Sequence, residues 1–339
     1  MTQSVLPQRK SDHIRINLEQ DVASQITTGL ERVRFAHQAV PEVDMQAIDL
    51  SITVFGKTLR APLLMSCMTG GTEEALVINR NLAAAAQRAG VAMGLGSMRA
   101  AVAHPELAYT FQVRDVAPDV LLFANIGAVQ LNYGFTVDQC RRAMDIAGAD
   151  VLALHLNPLQ EALQPEGDVN WAGLLSKIER VARALPVVAK EVGWGISRQA
   201  AADLANAGVI GIDVAGAGGT SWSQVEMHRA KTDIQRRVAE AFVDWGIPTA
   251  DSIRFVREAA PGLPIIASGG LKNGVDGAKC LALGASLFGL ARPFLKPATL
   301  SADHVFDEVT ILLDQLRAVM LCTGSQTVQD LRQAELLAQ

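Results

Sequence analysis

The stretch RRAMDIAGADVLALHLNPLQE, residues 141–161, decides the fold. Its first seven residues have helical character and run into Gly148, a residue suited to the left-handed cap that ends a helix. Three residues later comes the unbroken apolar run 151–154. A strand apolar at every position is buried on both faces, as in a parallel sheet covered by helices. Pro158 stops that strand, and residues 155–161 bring a histidine, two amides and a carboxylate to its C-terminal end. The cluster holds no Ser, Cys or Lys nucleophile, so its chemistry is not covalent attack.

The same helix–glycine–strand unit recurs at 83–97, 201–216 and 278–291, pivoting on Gly90, Gly208 and Gly284. Apolar runs at 61–68, 91–97, 120–126, 151–157, 186–192, 210–216, 264–269 and 286–292 read as eight strands, each followed by a plausible helix. That count predicts a (β/α)8 TIM barrel of roughly 250 residues plus extensions. The runner-up, a doubly wound open sheet, places G-x-G-x-x-G after its first strand, whereas this first strand runs into CMTGGT, residues 67–72. The chain is read as one domain, 1–339. Residues 1–60 form an N-terminal extension, with a hairpin around Phe55-Gly56-Lys57 plugging the barrel's bottom. Residues 219–247 read as a mobile insertion or lid, and the C-terminal residues as one or two amphipathic helices.

Composition narrows the function classes. A net charge of −5 over 339 residues lacks the basic field that nucleic acid or an anionic membrane surface requires. The four cysteines lie far apart without a C-x-x-C pair, which argues against a disulfide framework or a zinc site. No apolar leader or bilayer-length run is present, so a soluble cytoplasmic protein is expected.

In a barrel the active site stands at the C-terminal ends of the strands. Here those ends read CMTGG, GSMR, NIGA, HLNPLQE, KEVGWG, AGAGGTSW, SGGLKNG and ARPF, polar or glycine-rich in every case. SGGLKNG, with Arg292 of ARPF and Thr220 nearby, predicts a phosphate cradle. Lys190 follows three apolar strand residues; burying its ammonium requires either a carboxylate or an electron-rich cofactor. Glu191 points to the opposite face and is not that partner. Asn125 raises the same question more weakly. Arg9, Lys10 and His13 near the N-terminus, with Ser97 and Arg99, supply the means to hold a second anionic group.

Taken in order, RKSDH, MTGGT, GSMR, NIGA, HLNPLQE, KEVGWGIS, AGAGGTSW, SGGLKNG and ARPFL resemble the type 2, FMN-dependent isopentenyl diphosphate isomerases from about Arg9 to Leu295. The resemblance implies a barrel that interconverts isopentenyl and dimethylallyl diphosphate with reduced FMN and Mg²⁺, NADPH or a similar donor reducing the flavin. It also implies a homo-oligomer, tetrameric or larger. Cys67, Met68 and Thr69 would line the flavin ring, and Ser97, Asn125 and Lys190 would hydrogen-bond to it. Thr220 would contact its phosphate side, and Gly270, Leu271, Lys272, Ala291 and Arg292 would hold the phosphate. Arg9, Lys10, Ser97, Arg99, His155, Asn157 and Gln160 would bind substrate, with Glu161 on Mg²⁺. Two positions depart from the family pattern: Cys67 stands where Ala is expected, and Lys272 where Arg is commoner.

Moving a double bond by one carbon adds one proton and removes another, which calls for an acid and a base rather than a nucleophile. Gln160 and His155 are the residues placed nearest that chemistry, Gln160 as an orienting amide and His155 as a substrate contact or loop organiser. Two other barrel families fit less well. A 2-hydroxy-acid oxidase needs a His base and an Arg clamp just after strand six, where no His or Arg precedes His228. A barrel like inosine-monophosphate dehydrogenase needs a nucleophilic Cys in that loop, and Gly218-Gly219-Thr220 has none. A non-catalytic flavin-binding protein is the third alternative, and it leaves the second basic set unexplained.

Overall fold

The structure is a computed structural model that describes the backbone of residues 5–337 and side chains from Asp12 onward. An antiparallel pair, β1 (Ile52–Val54) and β2 (Lys57–Leu59), precedes eight parallel strands. These are β3 (Leu63–Met65), β4 (Ala92–Gly94), β5 (Leu122–Gly127), β6 (Val151–Leu156), β7 (Val187–Glu191), β8 (Gly211–Asp213), β9 (Ile265–Ala267) and β10 (Leu287–Leu290). They close in sequence order, β10 pairing with both β9 and β3. The chain is a (β/α)8 barrel, and all eight runs read as strands from the sequence are strands.

The helix ends explain how the repeat is enforced. Helix Val137–Ala147 opens on a capping box between Thr136 and Gln139 and ends at Gly148, φ 60°. Helix Glu73–Ala89 opens on the Thr72 hydroxyl and ends at Gly90, φ 70°. Each left-handed glycine turns the chain into the next strand without a long loop.

Alternation along the strands splits the core into two layers. Leu63, Met65, Met93, Leu122, Leu152, Leu154 and Val187 face the helices. Leu64, Ala92, Phe123, Val151, Ala153, Val188, Ile266 and Leu287 fill the barrel interior. Each such buried Leu, Val or Phe contributes about 1.5–3 kcal/mol. The β1–β2 hairpin closes the lower end of that inner layer, with Val54 and Leu59 in it and Phe55 edge-on to Phe123 at 5.9 Å. Phe55 and Gly56 have φ 49° and 76°, the two positive values a type I′ hairpin turn requires. Lys57 then reaches Asp150 at 2.8 Å, where Arg114 also binds at 2.8 Å. The bottom is therefore sealed, and any site must use the top.

Residues 219–247 are not an irregular loop: they carry helices Trp222–Arg229 and Asp233–Glu240. Val225 of the first packs with Ile16 and Val22, joining it to the N-terminal helix Val5–Glu19. The C-terminal part forms helices Ala302–Cys322 and Val328–Leu331. Among the described residues, no helix is long and apolar enough to cross a membrane.

Candidate active site

Gly127, His155, Lys190 and Asp213 lie in register across β5 to β8, so they form one transverse row at the top of the barrel interior. Glycine at 127 makes room for the imidazole: a Cβ there would stand 3.0 Å from His155 Nε2. His155 Nδ1 meets Asn125 Oδ1 at 2.7 Å; with the amide oxygen facing it, Nδ1 carries the proton. Lys190 Nζ lies 3.1 Å from Asp213 Oδ2 and donates to the Glu191 carbonyl at 3.0 Å. Burial is the largest single influence and works against the ammonium, but Asp213 together with Cys67 and Glu191 outweighs it, so the lysine pKa stands above its ordinary value. Glu191 faces away and accepts from the backbone N–H groups of residues 192–194 at 2.6–2.7 Å.

Asp213 is 1% exposed and accepts from the Ser268 hydroxyl at 2.5 Å and the Ala215 N–H at 3.3 Å. Ala215 has φ 34°, a conformation that costs a residue with a Cβ of order 1–3 kcal/mol. Beside this group, burial pushes the Cys67 thiol up, more than offsetting Lys190 and Asn125. A thiol in that state remains uncharged at neutral pH.

The HLNPLQE segment forms a second polar cluster. Pro158 occupies the first turn of helix Pro158–Leu163, where its missing N–H costs nothing. Asn157 Nδ2 donates to Gln160 Oε1 at 3.1 Å and to Glu161 Oε1 at 2.9 Å. Glu161 Oε2 accepts from the Asp168 N–H at 2.7 Å and from Gln164 Nε2. Gln160 Nε2 donates to Glu226 Oε1 at 3.2 Å. Glu226 also meets His13 at 3.1 Å and Arg229 at 2.5 Å. Burial would raise the Glu226 pKa; those contacts outweigh it and hold the carboxyl below its ordinary value. Arg99 pairs with buried Asp168 at 2.7 Å, and Gln130 donates to the same oxygen at 2.9 Å.

Across the mouth, the loops after β8 and β9 touch backbone to backbone. A Cβ at Gly269 would lie 2.1 Å from the Gly216 carbonyl oxygen, and one at Gly270 would lie 2.5 Å from Gly218. Only glycine allows that approach, and Gly216, Gly218, Gly219, Gly269 and Gly270 line the concavity it leaves. The Lys272 and Arg292 side chains border it, and neither has a partner among the described residues. His155, Lys190, Asn157, Gln160, Glu161 and the glycine loops line one cavity of about 960 Å³, at the upper end of small-molecule sites, with Asp213, Asp168 and Glu226 supporting it from behind.

The FMN-dependent dehydrogenase family model matches residues 2–112 and 134–338. An isopentenyl-diphosphate delta-isomerase of Rickettsia bellii (strain RML369-C) is 54% identical over 330 residues, 97% of this chain and 96% of the relative. A protein of the same name from Rickettsia rickettsii (strain Sheila Smith) is 52% identical over 331 residues, 97% of each chain. This chain belongs to the FMN-dependent isopentenyl-diphosphate delta-isomerases. Among solved structures, a mandelate oxidase variant superposes with TM-score 0.69 at 21% identity, covering 98% of this chain and 99% of that one. Mandelate oxidase with benzoyl-formic acid gives 0.67 at 21%, covering 97% and 93%. At that identity the likeness is one of fold.

Set against this isomerase family, the sequence-predicted residues converge. Cys67, Met68, Thr69, Ser97, Arg99, Asn125, His155, Asn157, Gln160, Glu161, Lys190, Thr220, Gly270, Leu271, Lys272, Ala291 and Arg292 all line the one cavity. Arg9 and Lys10 belong to helix Val5–Glu19, but their side chains lie outside the described residues. Thr220 pairs with Ala23 in an isolated bridge, so the extension crosses the mouth beside the glycine loop. Asp168, Asp213 and Glu226 were not anticipated from the sequence. Asp213 had one available signal: an acid in the apolar strand run 210–216, immediately after the strand that buries Lys190.

Proposed function

We propose that this chain interconverts isopentenyl diphosphate and dimethylallyl diphosphate, using reduced FMN, Mg²⁺ on the diphosphate and NADPH as flavin reductant. It works as a cytoplasmic homo-oligomer of four or more chains, with no nucleic-acid or membrane partner. The observation that carries this reading is the opposition of two unlike polar regions across one cavity. Arg292 follows β10, diametrically opposite β6 in the eight-strand ring, and the glycine loops beside it follow β8 and β9. One side has a glycine cradle with two unpaired cations; the other has the Asn157–Gln160–Glu161 cluster.

The cradle fits a flavin phosphate. Its backbone approach excludes any Cβ, and the Lys272 and Arg292 charges are not neutralised among the described residues. Lys190, Asn125, Ser97, Met68, Thr69 and Cys67 would wall the ring. When bound, reduced FMN supplies an electron-rich surface and the proton chemistry at the alkene. Glu161 fits a Mg²⁺ that takes one protein carboxylate and fills its remaining positions with water and substrate phosphate.

The chain's own residues supply position and charge. Gln160 has no titrating proton at neutral pH; gripped by Glu226 and Asn157, its amide orients the substrate over the cavity. His155 keeps its Nδ1 proton on Asn125 and turns Nε2 toward the Gly127 side of the pocket. Arg99, with Arg9 and Lys10 of the N-terminal helix, meets the diphosphate. The test is conversion of isopentenyl diphosphate with FMN, NADPH and Mg²⁺ present, then with each omitted in turn. Every omission should abolish product; conversion without flavin would overturn the reading.

A further inference from the structure

Lys190 borders the cavity, whereas its carboxylate partner does not. Asp213 stands one strand over in direct register, 1% exposed, with one oxygen 3.1 Å from Lys190 Nζ and the other 2.5 Å from Ser268 Oγ. The two side chains that Asp213 holds, Lys190 and Ser268, both line the cavity. The cavity floor therefore presents a lysine whose positive charge is matched by a fixed negative charge directly behind it. A buried ion pair of this kind is expensive to assemble, and an apolar pair would fill the same space at less cost. Its retention beneath the place where a ring would sit calls for an electrostatic reason.

Resting on the FMN reading above, we infer that Asp213 is a positioning residue that fixes the charge the protein shows to the flavin. It holds Lys190 as a hydrogen-bond donor with almost no net field. A lone lysine would favour the electron-rich, anionic reduced ring strongly over the oxidised ring, because opposite charges attract most where water is excluded. Neutralised by Asp213, Lys190 orients the ring without holding its negative charge so tightly. A reduced flavin that must exchange a proton with an alkene needs that balance. Ser268 tunes the pair from behind by donating to the Asp213 oxygen that does not face Lys190.

The experiment is a potentiometric titration of bound FMN in the unsubstituted protein, D213N and S268A, without substrate. D213N should bind reduced over oxidised flavin at least tenfold more selectively than the unsubstituted protein, a positive shift of about 30 mV for a two-electron couple. S268A strips a donor from the same carboxylate, strengthens its negative field, and should move the potential the other way. The double variant K190M/D213N should fall back toward the unsubstituted value, since Asp213 acts through Lys190. Flavin-loaded D213N with an unshifted potential would overturn the inference and leave Asp213 a support for the Ala215 turn. If D213N fails to fold, an unshifted S268A decides the matter in the same way. Failure of the unsubstituted protein to bind FMN at all would remove the reading on which the inference rests.

Discussion

The two arginines that line the cavity among the described residues, Arg99 and Arg292, should behave in opposite ways when removed. Arg292 is exposed and has no partner among the described residues, so its charge is available to a ligand. Arg99 is held at 2.7 Å by Asp168, whose side chain is 7% exposed. Truncating Arg292 to Ala should remove one charge-assisted contact to the FMN phosphate, about 1.5–3 kcal/mol. Solvent around the guanidinium places the effect near the lower figure, about a tenfold rise in the FMN Kd. Stability of the flavin-free protein should not change. Arg99→Ala leaves the Asp168 carboxylate buried with Gln130 as its remaining side-chain partner, and should cost about 2–3 kcal/mol of folding free energy. Its FMN affinity should be close to unsubstituted. Flavin fluorescence titration gives the first quantity and urea unfolding of the flavin-free protein the second. An Arg292→Ala protein that binds FMN normally, or an Arg99→Ala protein of full stability, would refute the reasoning.

Other perturbations follow from the same contacts. Glu161→Gln should retain FMN binding, because the cradle is built on the loops after β8 and β9 and on Arg292 rather than on the helix after β6, and lose on the order of 100-fold or more in Mg²⁺-dependent turnover; weakened flavin binding with surviving turnover would contradict the assignment. Asp150 is pushed up by burial but held below its ordinary pKa by the Leu122 N–H, Lys57 and Arg114. Its contribution is therefore full above the ordinary carboxyl range and fades only as pH falls through the depressed value. Asp150→Asn should cost about 1–3 kcal/mol at pH 7 and flatten the acid limb of a stability–pH curve; an unchanged limb would show that Asp150 does not carry it. Cys67→Ala should keep FMN binding and cost about 1 kcal/mol, the small cavity left by one sulfur, in a urea titration.

The fold was legible because its signal is repeated. Continuous apolar runs mark strands buried on both faces, and Gly90, Gly148, Gly208 and Gly284 all adopt positive φ at the helix–strand junctions. The site was legible where its residues stand at strand ends, as with His155, Lys190 and the glycines near 270. It was less so where partners meet through space. Rejecting Glu191 as the Lys190 partner followed from strand alternation, but choosing Asp213 required the register of β7 on β8. Residues 219–247 looked like a charged lid, yet Glu226 within them is 2% exposed and grips Gln160. A charged residue is not normally expected to face inward from an insertion; Arg229, one turn on in the same helix, and His13 and Gln160, brought in by tertiary packing, make that burial tolerable. Asp168 was equally silent, since its loop becomes part of the site only when Arg99 and Gln130 reach it.

The central claim is tested most directly by proton NMR of isopentenyl diphosphate incubated anaerobically in heavy water with the protein, FMN, Mg²⁺ and excess NADPH. The account predicts dimethylallyl diphosphate carrying deuterium, formed only when the reductant is present. Unchanged substrate alongside tightly bound, fully reduced FMN would contradict it and leave a flavin-binding barrel with another substrate.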